Sequence, residues 1–167
     1  MITRRSQRGK GFTLAEALLA AAVLAMTVSA VILPFTAGAM NQQADARITM
    51  ATCLAENMME EILAKPFKDP DGESQPGPES EETSRSLFDN VDDYNGYSES
   101  AGNIVSSDGE EVDDPAATGL SRSVSTAYVY VSEQDGTEPL DFIRVVVEVR
   151  YRDQPLITLT RLIHSLD

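Results

Sequence analysis

Hydrophobic and polar positions divide the chain into regions of different rhythm. From Ala17 to Phe35 no residue is charged and most are apolar, and after Glu16 no charge appears before Asp45. At about 1.5 Å rise per residue this run matches a hydrocarbon core of about 30 Å, so it predicts a helix of membrane length. Beyond it the apolar residues become periodic. Ala44, Ile48, Ala51, Ala55, Met58 and Ile62 recur every three or four positions, with Leu54, Met59 and Leu63 widening the stripe and Glu56, Glu60 and Glu61 on the polar side. The spacing predicts an amphipathic continuation from Thr36 to Lys65. Lys65-Pro66 closes it with a cation suited to the C-terminal dipole and then a helix breaker. Similar spacing serves short coiled coils, but a sheet of the same protein is the expected partner for this stripe. Pro34 falls inside the predicted helix, where a proline removes one backbone bond at a cost of about 3 kcal/mol. A kink at the membrane exit, or local melting, is expected there.

Near the C-terminus the period changes to two. Val124–Ser132, Phe142–Tyr151 and Leu156–Leu162 are rich in Val, Ile, Thr and Tyr and predict strands. In the middle one, Ile143, Val145, Val147, Val149 and Tyr151 share a face, and Arg144, Glu148 and Arg150 take the other. Turns are expected at Gln134-Asp135-Gly136 and at Arg152-Asp153-Gln154-Pro155, which makes an antiparallel meander. The predicted fold class is α+β, with a long N-terminal helix laid on a small C-terminal antiparallel sheet. The expected divisions are a basic N-terminal stretch (1–11), a membrane-length helix (12–35), an amphipathic helix (36–66), an acidic loop region (67–119) and the sheet (120–167). Residues 36–167 would form one extracytoplasmic domain.

Charge sharpens this picture. Pro66 to Gly119 holds 15 acids against Lys68 and Arg85. Asp69 to Ser84, rich in Pro, Gly, Ser and Glu, reads as mobile loop. In Leu87 to Tyr97, by contrast, Phe88, Tyr94 and Tyr97 can pin the loop to the sheet while Asn95-Gly96 turns. The Asp and Asn oxygens there are hard ligands suited to calcium, but the spacing lacks the alternating acids, glycine and final glutamate of an EF-hand loop. No metal ligands are assigned and no cofactor is expected, with calcium in this acidic region left open as an alternative. Asp108, Glu110, Asp113 and Asp114 read as solvated surface. A net charge of −14 argues against nonspecific nucleic-acid binding, which needs cations to displace phosphate counterions. Cys53 is the only cysteine and cannot form an intrachain disulfide; it reads as a small helix residue. His164 is the only histidine, so a multi-histidine metal site is excluded. Neither a phosphate-binding glycine loop nor a nucleophile arrangement stands out, and no enzymatic activity is expected.

The N-terminus carries the most specific signal. Arg4, Arg5, Arg8 and Lys10 precede the apolar run with no acid among them, and their loss would take the net charge from −14 to −18. Basic residues before the run and acids after it place the N-terminus in the cytoplasm by the positive-inside rule. Glu16 stands at the start of the run, where a carboxylate carries a penalty that reaches about 2.5–3.5 kcal/mol at mid-bilayer. The string Lys10-Gly11-Phe12-Thr13-Leu14-Ala15-Glu16 closely resembles the processing site of type IV prepilins and type II secretion pseudopilins. The resemblance implies cleavage of Gly11–Phe12 by a membrane prepilin peptidase and N-methylation of Phe12. It also implies that Glu16 neutralises the amine of a neighbouring subunit's Phe12 during assembly. Two shorter segments point to a minor subunit. Leu54-Ala55-Glu56-Asn57-Met58-Met59-Glu60-Glu61-Ile62 resembles the matching helix segment of PilV-like proteins and I-type pseudopilins. Val91-Asp92-Asp93-Tyr94-Asn95-Gly96 looks like a segment of some PilV- and MshD-like minor pilins. The partners implied are the peptidase, other pilin or pseudopilin subunits, an inner-membrane assembly platform and lipid.

Other readings of the same residues stay open. An ordinary secretory signal would use Ala37-Gly38-Ala39 as its small-x-small cleavage site, although the apolar run is long for that purpose. A twin-arginine signal would use Arg4-Arg5, but Ser6-Gln7-Arg8 lacks the apolar residues that normally follow. A membrane-anchored or secreted extracytoplasmic binding protein, never assembled into a filament, is the alternative function.

Overall fold

The computed structural model describes residues 11–70, 77–130 and 142–165. The chain divides into two compact units, Met1–Gln43 and Ala44–Asp167. One helix, α1 (Leu14–Leu63), runs through both and contains Pro34. In the first unit the apolar side chains of α1 face outward. The most apolar 18-residue window has a mean hydropathy of 2.4 and is not buried inside the protein. The helix is therefore long and apolar enough to cross a membrane.

From Ala44 onward the structure is α+β. α1 packs on a four-stranded antiparallel sheet made of β1 (Ser98–Glu99), β2 (Leu120–Tyr128), β3 (Phe142–Tyr151) and β4 (Gln154–His164), ordered β1-β2-β3-β4. Ala51, Leu54, Ala55, Met58, Met59 and Ile62 of α1 form one side of the core. Leu120 and Val124 of β2 and Ile143, Val145, Val147 and Val149 of β3 form the other. Full burial of a Val or Leu side chain stabilises a fold by about 1.5–3 kcal/mol, so the alternating β3 face is a main contributor. The expected helix stripe is too long at both ends: Ile48 and Leu63 are each 45% exposed, and Ala44 is exposed. Helical geometry ends at Leu63, and Lys65 does not cap the helix. Its Nζ donates to the Phe88 carbonyl at 2.5 Å, which ties the end of α1 to the following loop.

The strands also depart from expectation. β2 begins at Leu120, four residues before the expected start, and pairs with β3 from Leu120↔Tyr151 to Tyr128↔Ile143. β1 arises inside the stretch expected to be loop, with Ser98 opposite Ser123 and Glu99 opposite Arg122. The β3–β4 turn is tighter than expected. Tyr151 pairs with Gln154, which leaves Arg152 and Asp153 as the two turn residues, with φ of 49° and 65°. Two positive φ angles make a type I′ turn, whose twist matches the flanking strands. Pro155 lies within β4, the edge strand, beside a register shift at Val149/Arg150. An edge position tolerates the N–H that proline lacks. The turn expected at Gln134-Asp135-Gly136 lies outside the described residues.

The acidic middle is more ordered than its composition suggests. Phe88, Tyr94 and Tyr97 form an edge-to-face triad with ring centroids 5.0, 5.9 and 6.4 Å apart. Phe88 and Tyr94 are buried in the core, which bears out their expected anchoring role. Gly96, with φ of 82°, makes the turn that returns the chain to β2, where its N–H donates to the Val124 carbonyl. Of the stretch expected to be mobile, 71–76 lies outside the described residues.

A buried ionic network fastens helix, loop and sheet together. Arg122 occupies the inward face of β2 between Leu120 and Val124 and is 2% exposed. Its Nε donates to Glu99 Oε2 at 2.6 Å, Nη1 to the Leu54 carbonyl of α1 at 2.9 Å, and Nη2 to the Val105 carbonyl at 2.9 Å. Arg85 donates through Nε to Glu61 Oε1 at 2.8 Å, closes a second short contact from Nη2 to Glu61 Oε2, and reaches Glu99 at 3.3 Å. Tyr94 and Tyr97 donate their hydroxyls to Glu61 and Glu99 at 2.8 and 2.9 Å. Burial pushes the Glu61 carboxyl up, but the Arg85 and Tyr94 bonds outweigh it and hold the carboxyl below its ordinary value. Burial lowers the Arg122 guanidinium from its usual value, and Glu99 opposes that shift.

Candidate processing and assembly site

Gly11, Phe12, Thr13 and Glu16 lie at the start of α1. Phe12 is 85% exposed, and Glu16 is exposed on the first turn. The sequence places a threonine three residues before a glutamate ahead of an apolar run, and the structure forms the reciprocal cap that such spacing allows. The Thr13 backbone N–H and its hydroxyl both donate to Glu16 Oε2 at 2.9 Å, and the Glu16 N–H donates to Thr13 Oγ1 at 3.3 Å. A carboxylate in the first helical turn is also favoured by the positive end of the helix dipole. Thr13 is thus a member of the site that the resemblance alone did not single out. The Thr-x-x-Glu spacing was the signal available to find it.

Gly11 has a different status. A Cβ built on it would meet nothing within 4 Å among the described residues. Packing among the described residues therefore does not call for glycine at 11. Gly38, in the helix interior, also has open space around its Cα. Together with Pro34 it weakens the helix locally, since an interior glycine costs roughly 0.5–1 kcal/mol relative to alanine. Ala37-Gly38-Ala39, the small-x-small triplet of the secretory reading, sits inside α1 rather than in an extended segment.

Glu16, Ala20, Val23 and Thr27 share one helix face with Phe12 beside its N-terminal end. The hydroxyls of this region are satisfied along the helix itself. Thr27 donates to the Leu24 carbonyl at 2.8 Å, Ser29 to Ala25 at 2.9 Å and Thr36 to Leu33 at 2.9 Å. This leaves no side-chain donor from these residues unpaired in an apolar surrounding. Glu16 is the only charged side chain from Phe12 to Ala44.

The remaining expected residues lie apart from this site. Cys53 is in α1 as expected, though exposed. His164 packs beside Phe142, with ring centroids 4.7 Å apart. Asp108 bonds Ser106 and Asp114 caps Ala116 at 2.7 Å, so these surface acids serve local turns. No protein-family model, curated protein or solved structure matches this chain.

Proposed function

We propose that the chain is a minor structural subunit of a type IV pilus or type II secretion pseudopilus. In this reading the N-terminal half of α1 holds the precursor in the inner membrane with its N-terminus in the cytoplasm. Prepilin peptidase cuts Gly11–Phe12, Phe12 is N-methylated, and an assembly platform extracts the apolar helix into a filament. The chain performs no catalysis of its own. One observation carries the reading: a lone carboxylate, Glu16, stands in the first turn of an outward-facing apolar helix that begins shortly after Gly11, a glycine with open space around it among the described residues. A glycine that packing among the described residues does not require suits a reader outside the chain, and a peptidase pocket is such a reader. A lone carboxylate in an apolar packing surface needs a cationic partner, and the new amine at Phe12 of a neighbour supplies one.

Intact mass of the protein isolated from membranes tests this. The mature chain should begin at N-methyl-Phe12, and Gly11→Val should accumulate full-length precursor. A mature N-terminus at Met40 would overturn the proposal in favour of secretory processing.

A further inference from the structure

The acidic middle contains one place where carboxylates converge rather than spread. Glu79, Glu82 and Asp93 each offer an oxygen, and these atoms lie within 4.8 Å of one another. A single ion with oxygen ligands at about 2.3–2.6 Å spans such a group. The residues come from two turns. Glu79 and Glu82 share a tight turn, in which the Glu82 N–H donates to the Glu79 carbonyl at 3.0 Å and the Glu79 N–H to Glu82 Oε2 at 3.2 Å. Asp93 lies on the 3-10 turn Asp92–Tyr94, next in sequence to Tyr94 of the aromatic triad.

Asp93 is fully buried at 0% exposure. Its Oδ2 accepts the N–H groups of Asp89 and Asn90, both at 2.9 Å, while its Oδ1 is buried with no hydrogen-bond partner among the described residues. An unsatisfied buried carboxylate oxygen is costly, and a paired cation is the usual remedy. Glu82 Oε1 also accepts the Asp89 N–H, at 3.2 Å, so two carboxylates converge on one donor. The cleft over the turn holds about 340 Å³ and includes Asp69, Glu79, Glu81, Glu82 and Asp89 in its wall. A neighbouring bond, Gly77 N–H to Asp92 Oδ2 at 3.2 Å, fixes the start of the same turn. Partial burial, together with Glu79 and Asp93, pushes the Glu82 carboxyl up to about 7.

We propose that Glu79, Glu82 and Asp93 bind one calcium ion, which fastens the 77–82 turn onto the 92–94 turn. All three ligands are hard oxygens, and two of them sit on a turn able to adjust to the loose geometry calcium accepts. This proposal is independent of the filament reading and stands or falls without it.

The test uses the full-length protein in zwitterionic nanodiscs, stripped with chelator and titrated calorimetrically with calcium chloride or magnesium chloride against empty nanodiscs. At neutral pH calcium should bind saturably at one equivalent, with a Kd of roughly 10⁻⁴–10⁻³ M, typical of extracellular calcium modules. Glu79→Gln and Glu82→Gln should each weaken binding by about tenfold or more, since each removes one charged ligand. Asp113→Asn, in a separate surface cluster, should leave it unchanged. Circular dichroism establishes that each variant is folded. Absence of saturable calcium binding, equal binding by both glutamine variants, or saturation by magnesium alone would each overturn the proposal.

Discussion

Thr13 and Glu16 satisfy one another in the isolated chain, and this bears on what assembly has to break. If Glu16 pairs with a neighbour's amine, its carboxylate must be shared between that amine and its own cap. Glu16→Gln keeps the shape and removes the charge. The variant should still be cleaved but should enter sheared filaments less than wild type, as scored by comparing processed and filament-associated protein in the same cells. Thr13→Ala should instead cost roughly 1 kcal/mol of helix stability at the first turn, the usual value of an N-cap, while leaving the charge available for pairing. Filament incorporation should therefore fall further for Glu16→Gln than for Thr13→Ala. At the opposite extreme of burial, Arg122→Met would leave Glu99 buried and held, among the described residues, by Arg85, Tyr97 and the Val105 N–H. Removing one partner of a buried pair typically costs about 3–5 kcal/mol, so thermal unfolding of the detergent-solubilised variant should shift markedly downward. Replacing Glu99 with Gln in the same chain should recover part of the loss.

Among the elements, the β3–β4 hairpin stands out because its type I′ turn is occupied by Arg152 and Asp153, both at positive φ. A side chain in that region carries a penalty of roughly 1–2 kcal/mol, and asparagine followed by glycine reduces it. The double substitution Arg152→Asn, Asp153→Gly should raise the unfolding temperature without altering the register. It also removes one stacking contact, because the Arg152 guanidinium lies 5.1 Å from the Tyr151 ring centroid. Arg47, whose guanidinium carbon is 3.8 Å from the same centroid, keeps that ring covered. For α1, the coincidence of Pro34 and Gly38 within one stretch of helix concentrates the weak backbone between its apolar and amphipathic parts.

Across the whole protein, opposing carboxyl shifts set the dependence on pH. Glu82 binds its proton more tightly in the folded state, up to about 7 against an ordinary 4.5, so its contribution favours the fold at low pH and is lost as pH rises through that interval. Burial shifts Asp92 in the same direction, opposed by the Gly77 N–H and reinforced by Asp93. Glu61 runs the other way: its carboxyl is held below 4.5, so its contribution is present above that value and is lost as pH falls through the folded one. In chelator, the unfolding temperature should therefore be highest on the mildly acidic side and decline toward neutrality. Glu82→Gln should flatten that decline while leaving the acid limb in place. Melting curves of wild type and variant, recorded across the same pH series, check both signs.

The sequence by itself determined the elements whose signal is local. An uncharged run of membrane length, the stripe from Ala51 to Ile62 and the alternation Ile143-Val145-Val147-Val149 each encode their partner surface in their own spacing. Hydrophobic burial rewards any arrangement that hides such a face, so helix on sheet was legible. The motif around Gly11 and the Thr13–Glu16 spacing are equally local. Tertiary structure decided the rest. Ser98-Glu99 has too little strand character to be read alone, and it pairs because β2 offers an edge and Arg122 binds Glu99. Arg122 looks like a break in the apolar pattern of β2, yet it faces inward because Glu99 and the Leu54 and Val105 carbonyls satisfy it there. The convergence of Glu79, Glu82 and Asp93 likewise joins residues whose separation along the chain carries no periodic sign. Only the folded path of the loop brings their oxygens together, since charge interactions depend on distance in space and leave no required spacing in the sequence.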